Sequence, residues 1–286
     1  MIIAPLKLFL WTFRRNEKDV VNLYDSLSDV MRLATGGDML NFGYWTKNTK
    51  EPIDAQNELC KIFGEFSDLK SATNIIDIGS GFSAPAILWK TQFSPLEITC
   101  VNINFNQLKQ SSSRINESEN SIDGINLLNS TSTSLPFPNE SVDRILALES
   151  LQHVKHLENF ISESKRILKK HGILAIAIPV ITKKITPIVD LGILSMTWSS
   201  ERYTTDYIKL LLIDNGFKIL ELQNIGPMVY DPLTNYYIRN RDDVKNKILS
   251  KYPSYVEKIL FKSLQKIKQL SEKNVIDYVL IKCETH

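Results

Sequence analysis

Asp77 and the glycines that follow it form the stretch of the chain best suited to bind a charged ligand. Asp77 interrupts a β-branched apolar run, and Gly79, Ser80 and Gly81 come directly after it. Glycines are needed where a chain turns with positive φ and a ligand approaches the backbone closely. A carboxylate here attracts an ammonium or sulfonium group and repels a pyrophosphate. The spacing to Ala84 also fits G-x-G-x-x-A, which is typical of NAD sites. A cation-bearing ligand, NAD and a tight turn without a ligand all remain open.

Glu149 and His153 are a second candidate pair, because a spacing of four residues places both on one face of a helix. A histidine can take a proton from an attacking hydroxyl near neutral pH, and a carboxylate partner can orient its imidazole. His153 could also position a substrate or serve a structural role. His156 would extend the pair to three metal ligands, but three ligands on one helical face are weak evidence. We predict no metal site.

Alternating strands and helices must position these residues. The predicted strands cover residues 75–78, 98–103, 124–129, 142–148, 173–178, 217–223 and 275–283. The predicted helices include 16–33, 52–66, 157–170 and 205–216. Ser83 is a candidate cap for the helix behind the glycines, and Asn104 with Gln107 fits a capping box after the second strand. His171 is expected near a helix end and Pro179 at a strand end. This alternation predicts an α/β fold with an open, doubly wound sheet, in which ligands bind beyond the carboxyl ends of the strands.

Several motifs resemble the class I S-adenosylmethionine-dependent methyltransferases. They are D-I-G-S-G at 77–81, L-P-F-P-N-E-S-V-D-R-I at 135–145 and K-R-I-L-K-K-H-G-I-L at 165–174. N-F-G-Y-W at 41–45 is similar to the small-molecule branch that acts on sugars, polyketides or isoprenoid rings. Nucleotide-binding dehydrogenases do not carry the second motif. The resemblance covers residues 41–226 and the final strand, and implies a Rossmann-like, mostly parallel seven-stranded sheet with a helical N-terminal cap and a lid insertion.

The resemblance also implies a role for each residue at the strand ends. Asp77 and the 79–81 turn would hold the amino-acid part of S-adenosylmethionine, and E-S-x-x-H implies that His153 is the base for O-methylation. Asn102 replaces the acid that usually accepts bonds from the ribose hydroxyls, and an amide oxygen accepts more weakly. Thr131 replaces an aspartate near the adenine. The predicted cofactor site comprises Asp77, Gly79, Ser80, Gly81, Asn102, Ile103, Gln107, Thr131, Ser132, Tyr44 and Trp45, and the predicted catalytic residues are His153 and Glu149.

The composition argues against several other classes of protein. The 286 residues are 43% hydrophobic and 23% charged, which suits one large globular α/β domain with elaborations. A net charge of +2 gives no argument for a nucleic-acid partner. The fourth strand ends in A-L-E-S instead of the N-P-P-Y that binds a flipped base, so we predict no nucleic-acid substrate. The three cysteines are far apart and odd in number, which indicates buried thiols and a cytoplasmic protein.

The N-terminal segment and the insertions define the predicted domains. Residues 1–13 are mostly apolar but too few to span a bilayer as a helix. We expect this arm to pack on its own domain or on a second subunit of a homo-oligomer, with peripheral membrane contact through residues 1–15 as the alternative. Residues 1–70 are predicted to form a helical arm and cap, and residues 71–286 the Rossmann-like methyltransferase domain. Helical insertions are expected near 180–204 and 231–272.

The aromatic loop at Tyr44 and Trp45 either packs in the core or covers the cofactor, and we predict a lid because exposed aromatic clusters are costly. The sequence therefore predicts transfer of a methyl group from S-adenosylmethionine to a small, lipophilic acceptor at a hydroxyl oxygen. Three alternatives stay open: a C-methyltransferase acting on an isoprenoid or quinone-type ring, an NAD-dependent oxidoreductase, and a cofactor-binding protein without catalysis.

Overall fold

A seven-stranded sheet organises the chain. The computed structural model describes residues 16–93, 95–117, 122–186 and 190–286. The strands are β1 Asn74–Ile78, β2 Glu97–Asn102, β3 Ile125–Asn129, β4 Val142–Leu148, β5 Leu168–Ile181, β6 Phe217–Asn224 and β7 Ile276–Thr285. Their order across the sheet is β3-β2-β1-β4-β5-β7-β6. The first five strands pair in parallel, and β7 is antiparallel to both β5 and β6. The predicted mostly parallel, seven-stranded Rossmann-like sheet is confirmed.

Helices cover both faces of this sheet. They are α1 Glu17–Thr35, α2 Pro52–Phe66, α3 Ala84–Gln92, α4 Phe105–Glu117, α5 Leu157–Ile167, α6 Leu194–Thr197, α7 Thr205–Asp214, α8 Gly226–Arg239, α9 Arg241–Leu249 and α10 Ser254–Glu272. Ile75 of β1 packs in a core with α2 and α3, whereas Ile76 and Ile78 pack in a second core with α5 and α7. This alternation explains why the β1 sequence is apolar on both sides: each face of the strand is buried under helices.

The predicted helix cap at the glycine turn is wrong, and the cap after β2 is confirmed. Ser83 has φ of +57° and makes no capping bond with its side chain, because an N-cap residue needs an extended backbone to reach the following N–H groups. Asn104 does cap α4, since its Oδ1 accepts a hydrogen bond of 3.2 Å from the Gln107 N–H. The Gln107 side chain does not complete the capping box and bonds to Asn102 and Ser28.

The boundary between α5 and β5 differs from the predicted one. The helix ends at Ile167 and not at residue 170, and His171 lies within β5 with φ of +61°. Pro179 lies inside β5, opposite Tyr278 of β7, instead of ending the strand. β4 ends at Leu148, which lies opposite residue 177 of β5. On the β4 side, Pro179 therefore has no neighbouring strand to which an N–H would donate. A proline costs no ladder bond there.

The insertions pack near the N-terminal helix. The insertion after β6 consists of α8, α9 and α10, and side chains of α1 such as Leu23 and Val30 share a core with Tyr237 and Ile248 of this insertion. The division into residues 1–70 and 71–286 stays a prediction, and the arm at residues 1–15 lies outside the described residues. The three cysteines are free and buried, as predicted. In the part of the chain that the structure describes, no helix combines the length and apolarity needed to cross a membrane.

Candidate active site

A cavity of about 730 Å³ lies beyond the carboxyl ends of β1, β2 and β4. This volume is in the range of small-molecule and cofactor sites. The sequence-predicted site residues that line it are Gly79, Ser80, Gly81, Asn102, Ile103, Gln107, Thr131, Ser132, Glu149 and His153. The rest of its lining includes the first two turns of α1, Leu40 and Asn41, and Ser200 and Glu201, which precede α7. The structure therefore brings the two candidate clusters of the sequence into one cavity.

The glycine turn has the geometry of a ligand cradle. Gly79 and Gly81 have φ of +71° and +55°, which only glycine adopts without strain. A Cβ atom on Gly79 would come within 2.4 Å of the Ser150 Cβ, so glycine is required for close packing against the loop after β4. A Cβ atom on Gly81 would meet only Leu40, at 3.7 Å. The backbone at Gly81 is thus open to the cavity, as binding of a cofactor against the turn requires.

Asp77 lies beneath this turn and is not among the residues that line the cavity, and its contact with a cofactor stays a prediction. The side chain is 2% exposed because β1 is flanked by β2 and β4 at this register. Its Oδ2 atom is buried without a hydrogen-bond partner among the described residues. Burial raises the pKa of Asp77 to about 7. An unpartnered carboxylate oxygen two residues before the turn favours a cationic ligand above it, which fits the ammonium and sulfonium groups of S-adenosylmethionine.

Asn102 connects the tip of β2 to the glycine turn. Its Nδ2 donates to the Gly81 carbonyl at 3.1 Å and to the Gln107 Oε1 at 2.9 Å, and its Oδ1 accepts from the Asn104 N–H at 3.0 Å. The side chain lines the cavity, but its hydrogen bonds mainly hold the wall together. The proposed contact with a ribose hydroxyl would use the remaining lone pair of Oδ1.

Restoring the acid that the family usually has at this position is expected to damage the protein. In Asn102→Asp, a carboxylate would face the two oxygen atoms that now accept from Nδ2, so we expect the free energy of unfolding to fall by about 1–3 kcal/mol. Urea unfolding measures this loss. The control is Asn116→Asp on the exposed face of α4, which should change stability little. Unchanged stability together with tighter binding of S-adenosylhomocysteine would contradict this role of Asn102.

Thr131 and Ser132 line the cavity beside the start of α1. The Thr131 hydroxyl bonds to the Glu17 carboxylate and lies 3.1 Å from the Thr133 hydroxyl. Gln107 reaches α1 as well, with its Nε2 3.2 Å from the Ser28 hydroxyl. These residues therefore hold the first turns of α1 over the strand ends. Their direct contacts with a cofactor stay a prediction.

Tyr44 and Trp45 do not form the predicted lid. The Tyr44 N–H donates to the Ala55 carbonyl and the Trp45 N–H to the Met228 carbonyl, both at 2.8 Å. The Trp45 ring packs 5.6 Å from the Tyr236 ring of α8. This aromatic pair is therefore part of the packing between α2 and α8, and it is the preceding residues Leu40 and Asn41 that line the cavity.

Glu149 is not the predicted helical partner of His153. It has a positive φ of +52°, and residues 151–153 form a single 3₁₀ turn, so the spacing of four residues does not place the two side chains on one helical face. The Glu149 Oε1 accepts from the Phe42 N–H at 2.8 Å and from the Tyr278 hydroxyl at 2.9 Å. Burial raises the pKa of Glu149 to about 8 despite these two bonds, which favour the ionised form.

His153 is held between two hydroxyl groups. Its Nε2 lies 3.0 Å from the Tyr24 hydroxyl of α1, and its Nδ1 lies 2.8 Å from the Ser200 hydroxyl. The Tyr24 and His153 rings also pack edge to face, with centroids 5.4 Å apart. His156 is exposed and pairs with Glu158 at 3.2 Å, so the three candidate metal ligands do not converge. The imidazole therefore has the fixed orientation that a general base needs.

Sequence reasoning missed Tyr24 and Ser200. Tyr24 follows Leu23 in the amphipathic pattern of α1, where an aromatic residue has no feature that marks it as functional. Ser200 lies in the irregular segment before α7, where no periodicity indicates which way a side chain points. Tyr24 and Ser200 lie 129 and 47 residues from His153 in the chain, so only the folded structure shows that they contact it.

The two buried carboxyl groups are expected to make the ligand-free protein less stable as the pH rises. A carboxyl with a raised pKa keeps its proton in the folded state at a pH where the unfolded chain has lost it. The folded state then binds more protons, and the free energy of unfolding falls with increasing pH. The fall begins near the unfolded values of 3.8 for Asp77 and 4.5 for Glu149, and it is complete above about 7 and about 8, respectively.

Urea unfolding at pH 5 and pH 8 tests this linkage. From pH 5 to pH 8, the free energy of unfolding should fall in Asp77→Asn and in Glu149→Gln by up to about 3 kcal/mol less than it falls in the wild type. This figure takes 1.36 kcal/mol for each pKa unit. Asp214→Asn, at an exposed position of α7, serves as the control and should keep the wild-type dependence. The same pH dependence in all four proteins would show that neither carboxyl group is buried in its neutral form.

Comparison with known proteins agrees with this geometry. Residues 76–176 match the methyltransferase domain family. The chain is 26% identical to erythromycin 3''-O-methyltransferase of Saccharopolyspora erythraea, over 83% of this chain and 80% of that protein. It is 27% identical to 27-O-demethylrifamycin SV methyltransferase of Amycolatopsis mediterranei, over 54% of this chain and 55% of that protein. The solved structure of the cyclopropane synthase MmaA2 from Mycobacterium tuberculosis has a TM-score of 0.82 at 17% identity, and covers 94% of this chain and 99% of that one.

Proposed function

We propose that the chain is a class I S-adenosylmethionine-dependent methyltransferase that acts on small molecules, and that it methylates a hydroxyl oxygen with His153 as the general base. The observation that carries this proposal is the shared cavity. His153 and the 79–81 turn line the same cavity, so an acceptor beside the base would lie next to a cofactor held at the turn. The match of residues 76–176 to the methyltransferase domain family favours methyl transfer over the alternative of an NAD-dependent oxidoreductase.

The residues of the cradle would hold the cofactor by its polar ends. The backbone at Gly81 is open to the amino-acid part, with the buried Asp77 carboxyl below the turn. Asn102, Ile103 and the segment at Thr131 and Ser132 line the side where the nucleoside would lie. The bound cofactor supplies a methyl group that its sulfonium makes electrophilic. The chain must then orient the acceptor in line with that methyl group and exclude water.

His153 would complete the reaction by taking the proton of the acceptor hydroxyl. A neutral imidazole can accept this proton near pH 7, and a positioned base of this kind contributes typically 10²–10⁴ in rate. The two hydroxyl contacts, at 3.0 Å and 2.8 Å, hold the ring in one orientation before the acceptor arrives. The protein therefore does not have to order the base during the reaction, which lowers the entropic part of the barrier.

The acceptor end of the cavity supports a hydroxylated acceptor. Beside His153, it is lined by Tyr24, Ser200 and Glu201, all of which can bond to hydroxyl groups. The erythromycin and rifamycin relatives are named for O-methylation at the 3'' and 27 positions of their substrates. A lipophilic acceptor stays a prediction, because the apolar arm on which it depends lies outside the described residues. A cytoplasmic location and a homo-oligomer also stay predictions.

A product analysis tests the proposal. The purified protein is incubated with S-adenosylmethionine labelled in the methyl group and with a panel of methyl glycosides, macrolactones, phenols and prenylated quinols. We expect label in an acceptor that carries a new methoxy carbon by NMR. A methyl group attached to a ring carbon would overturn O-methylation in favour of C-methylation. Binding of S-adenosylhomocysteine without transfer to any member of the panel would favour a cofactor-binding protein without catalysis.

A further inference from the structure

Both ring nitrogens of His153 are already engaged by hydroxyl groups of the chain. Tyr24 occupies Nε2 and Ser200 occupies Nδ1, at 3.0 Å and 2.8 Å. An acceptor hydroxyl that gives its proton to His153 must therefore displace one of these side chains or pass the proton through it. The proposed function leaves this choice open, and the surroundings of the two hydroxyl groups decide it.

Tyr24 is poorly placed to move away. Its ring packs edge to face on the His153 ring, at an interplanar angle of 87°. The next residue, Asp25, accepts a bond of 2.8 Å from the Asn104 side chain at the end of β2. One turn further along α1, Ser28 bonds to Gln107. These contacts fix the face of α1 that carries Tyr24, so its hydroxyl stays between the cavity and the imidazole.

Ser200 is also held in place by its neighbours. The N–H of Glu201 donates to the Gln152 carbonyl at 2.9 Å, and the Tyr203 hydroxyl donates to the Val154 carbonyl at 2.6 Å. These bonds dock the segment before α7 onto the residues on either side of His153. Ser200 therefore meets Nδ1 from the side opposite to Tyr24.

The acidities of the two hydroxyl groups set the direction of the hydrogen bonds. A phenol, with a pKa near 10, is a stronger donor than an alkyl hydroxyl, and the alkyl oxygen is the better acceptor. The favoured arrangement has Tyr24 O–H donating to Nε2, while Nδ1–H donates to the Ser200 oxygen. Nε2 is then the basic nitrogen, and Tyr24 lines the cavity that an acceptor hydroxyl would enter.

We propose that Tyr24 is a catalytic residue that relays the acceptor's proton to Nε2 of His153, and that Ser200 is the positioning residue that keeps the ring proton on Nδ1. This inference rests on the proposed O-methylation. As the acceptor oxygen forms its bond to the methyl carbon, the carbon–sulfur bond breaks and its electron pair goes to sulfur. The acceptor proton moves to the Tyr24 oxygen while the Tyr24 proton moves to Nε2. The step ends with a methyl ether, a neutral thioether, an unchanged phenol and an imidazolium.

Removal of the Tyr24 hydroxyl distinguishes two roles: Tyr24 relays the proton to Nε2, or Tyr24 must move aside before Nε2 can take it. Tyr24→Phe keeps the ring that packs on His153, and with a hydroxylated acceptor from the panel we expect kcat to fall at least about tenfold. Binding of S-adenosylhomocysteine should not change. Tyr207→Phe is the matched control, because Tyr207 is an exposed tyrosine of α7 outside the cavity. If Tyr24 merely blocks Nε2, Tyr24→Phe will turn over as fast as the wild type or faster, which would overturn the relay.

The positioning role of Ser200 has its own readout. Ser200→Ala should lower kcat with little change in KM for the acceptor, and Ser200→Thr, which keeps a hydroxyl, should restore most of the rate. The wild type should show a curved dependence of kcat on the deuterium fraction of the solvent, since two protons move together, and Tyr24→Phe a linear one. Equal losses in Ser200→Ala and Ser200→Thr would indicate a packing role instead.

Nitrogen NMR tests the same proposal without any acceptor. The chain has only four histidines, so ¹⁵N-labelled imidazoles can be resolved, and His153→Gln assigns the relevant pair of resonances. We expect a neutral ring with its proton on Nδ1, an Nε2 resonance that moves in Tyr24→Phe, and mixed tautomers in Ser200→Ala. A proton on Nε2, or an Nε2 resonance that Tyr24→Phe leaves unchanged, would overturn the relay. Neither result would affect the proposed O-methylation, which the product analysis tests separately.

Discussion

His153→Ala is expected to lower methyl transfer to a hydroxylated acceptor at least about a hundredfold, in line with the loss of a general base. The cofactor should bind as before, because the glycine turn and the tips of β2 and β3 do not depend on the imidazole. The effect should therefore appear in kcat and in kcat/KM for the acceptor, with unchanged affinity for S-adenosylhomocysteine. An alkoxide-like oxygen attacks a sulfonium methyl group far faster than a neutral hydroxyl, so loss of the base slows the attack.

The control for this variant is His286→Ala. His286 is exposed at the end of the chain beyond β7, and it does not line the cavity. Both variants should bind S-adenosylhomocysteine with wild-type affinity by calorimetry, which shows that the fold is intact. If His153→Ala turns over at the wild-type rate on an acceptor that becomes a methyl ether, the base has been assigned to the wrong residue.

Gly81→Val is expected to weaken binding of S-adenosylhomocysteine at least about a hundredfold, the equivalent of about 3 kcal/mol. A Cβ atom at this position meets only Leu40, at 3.7 Å, so the protein can accommodate the branched side chain by letting it project into the cavity. It would then occupy the space that the amino-acid part of the cofactor needs. Calorimetric titration with S-adenosylhomocysteine measures the loss.

Gly36→Val separates this steric effect from backbone strain. Gly36 also has a positive φ, of +83°, and a Cβ atom there would meet nothing within 4 Å. A side chain in this backbone conformation costs about 1–2 kcal/mol, so both variants should lose a similar free energy of unfolding. Gly36 caps the end of α1 outside the cavity, so its variant should keep wild-type affinity. Equal affinity in the two variants would place the cofactor away from the turn.

The sheet was predictable because its signals are local. Ile75, Ile76 and Ile78 are buried on both faces of β1, and this produces a β-branched run that the sequence displays directly. The helix end near residue 170 and the strand end at Pro179 were wrong for a non-local reason. Pairing of Leu168 with Val142 of β4 starts β5 early, and antiparallel pairing with β7 extends β5 past the end of β4. No pattern within residues 165–181 encodes the position of either partner strand.

The site was predictable where a backbone requirement leaves a residue signature. Gly79 and Gly81 have positive φ in a turn that packs against a neighbouring loop, and only glycine satisfies both conditions without strain. The histidine at the end of β4 follows from the rule that ligands bind beyond the carboxyl ends of parallel strands. Trp45 was wrongly assigned to a lid because an aromatic residue in a loop is equally able to fill a core, and the sequence does not reveal which partner it will meet.

The network around His153 could not be predicted from the sequence, because it joins three distant segments. Tyr24 comes from α1 and Ser200 from the segment before α7, and neither is near His153 in the chain. The predicted partner Glu149 is close in sequence but is turned by its positive φ toward Phe42 and Tyr278. Proximity in the chain therefore suggested the wrong partner. Packing of α1 and of the segment before α7 places Tyr24 and Ser200 next to the imidazole instead.

A crystal structure of the protein with S-adenosylhomocysteine tests the central claim most directly. We predict that the homocysteine lies along the 79–81 turn and that the sulfur faces the end of the cavity lined by Tyr24 and His153. The acceptor would then fit between the sulfur and the Tyr24 hydroxyl. A nucleoside bound outside this cavity, or a sulfur separated from His153 by protein atoms, would contradict both the cofactor site and the assignment of the base.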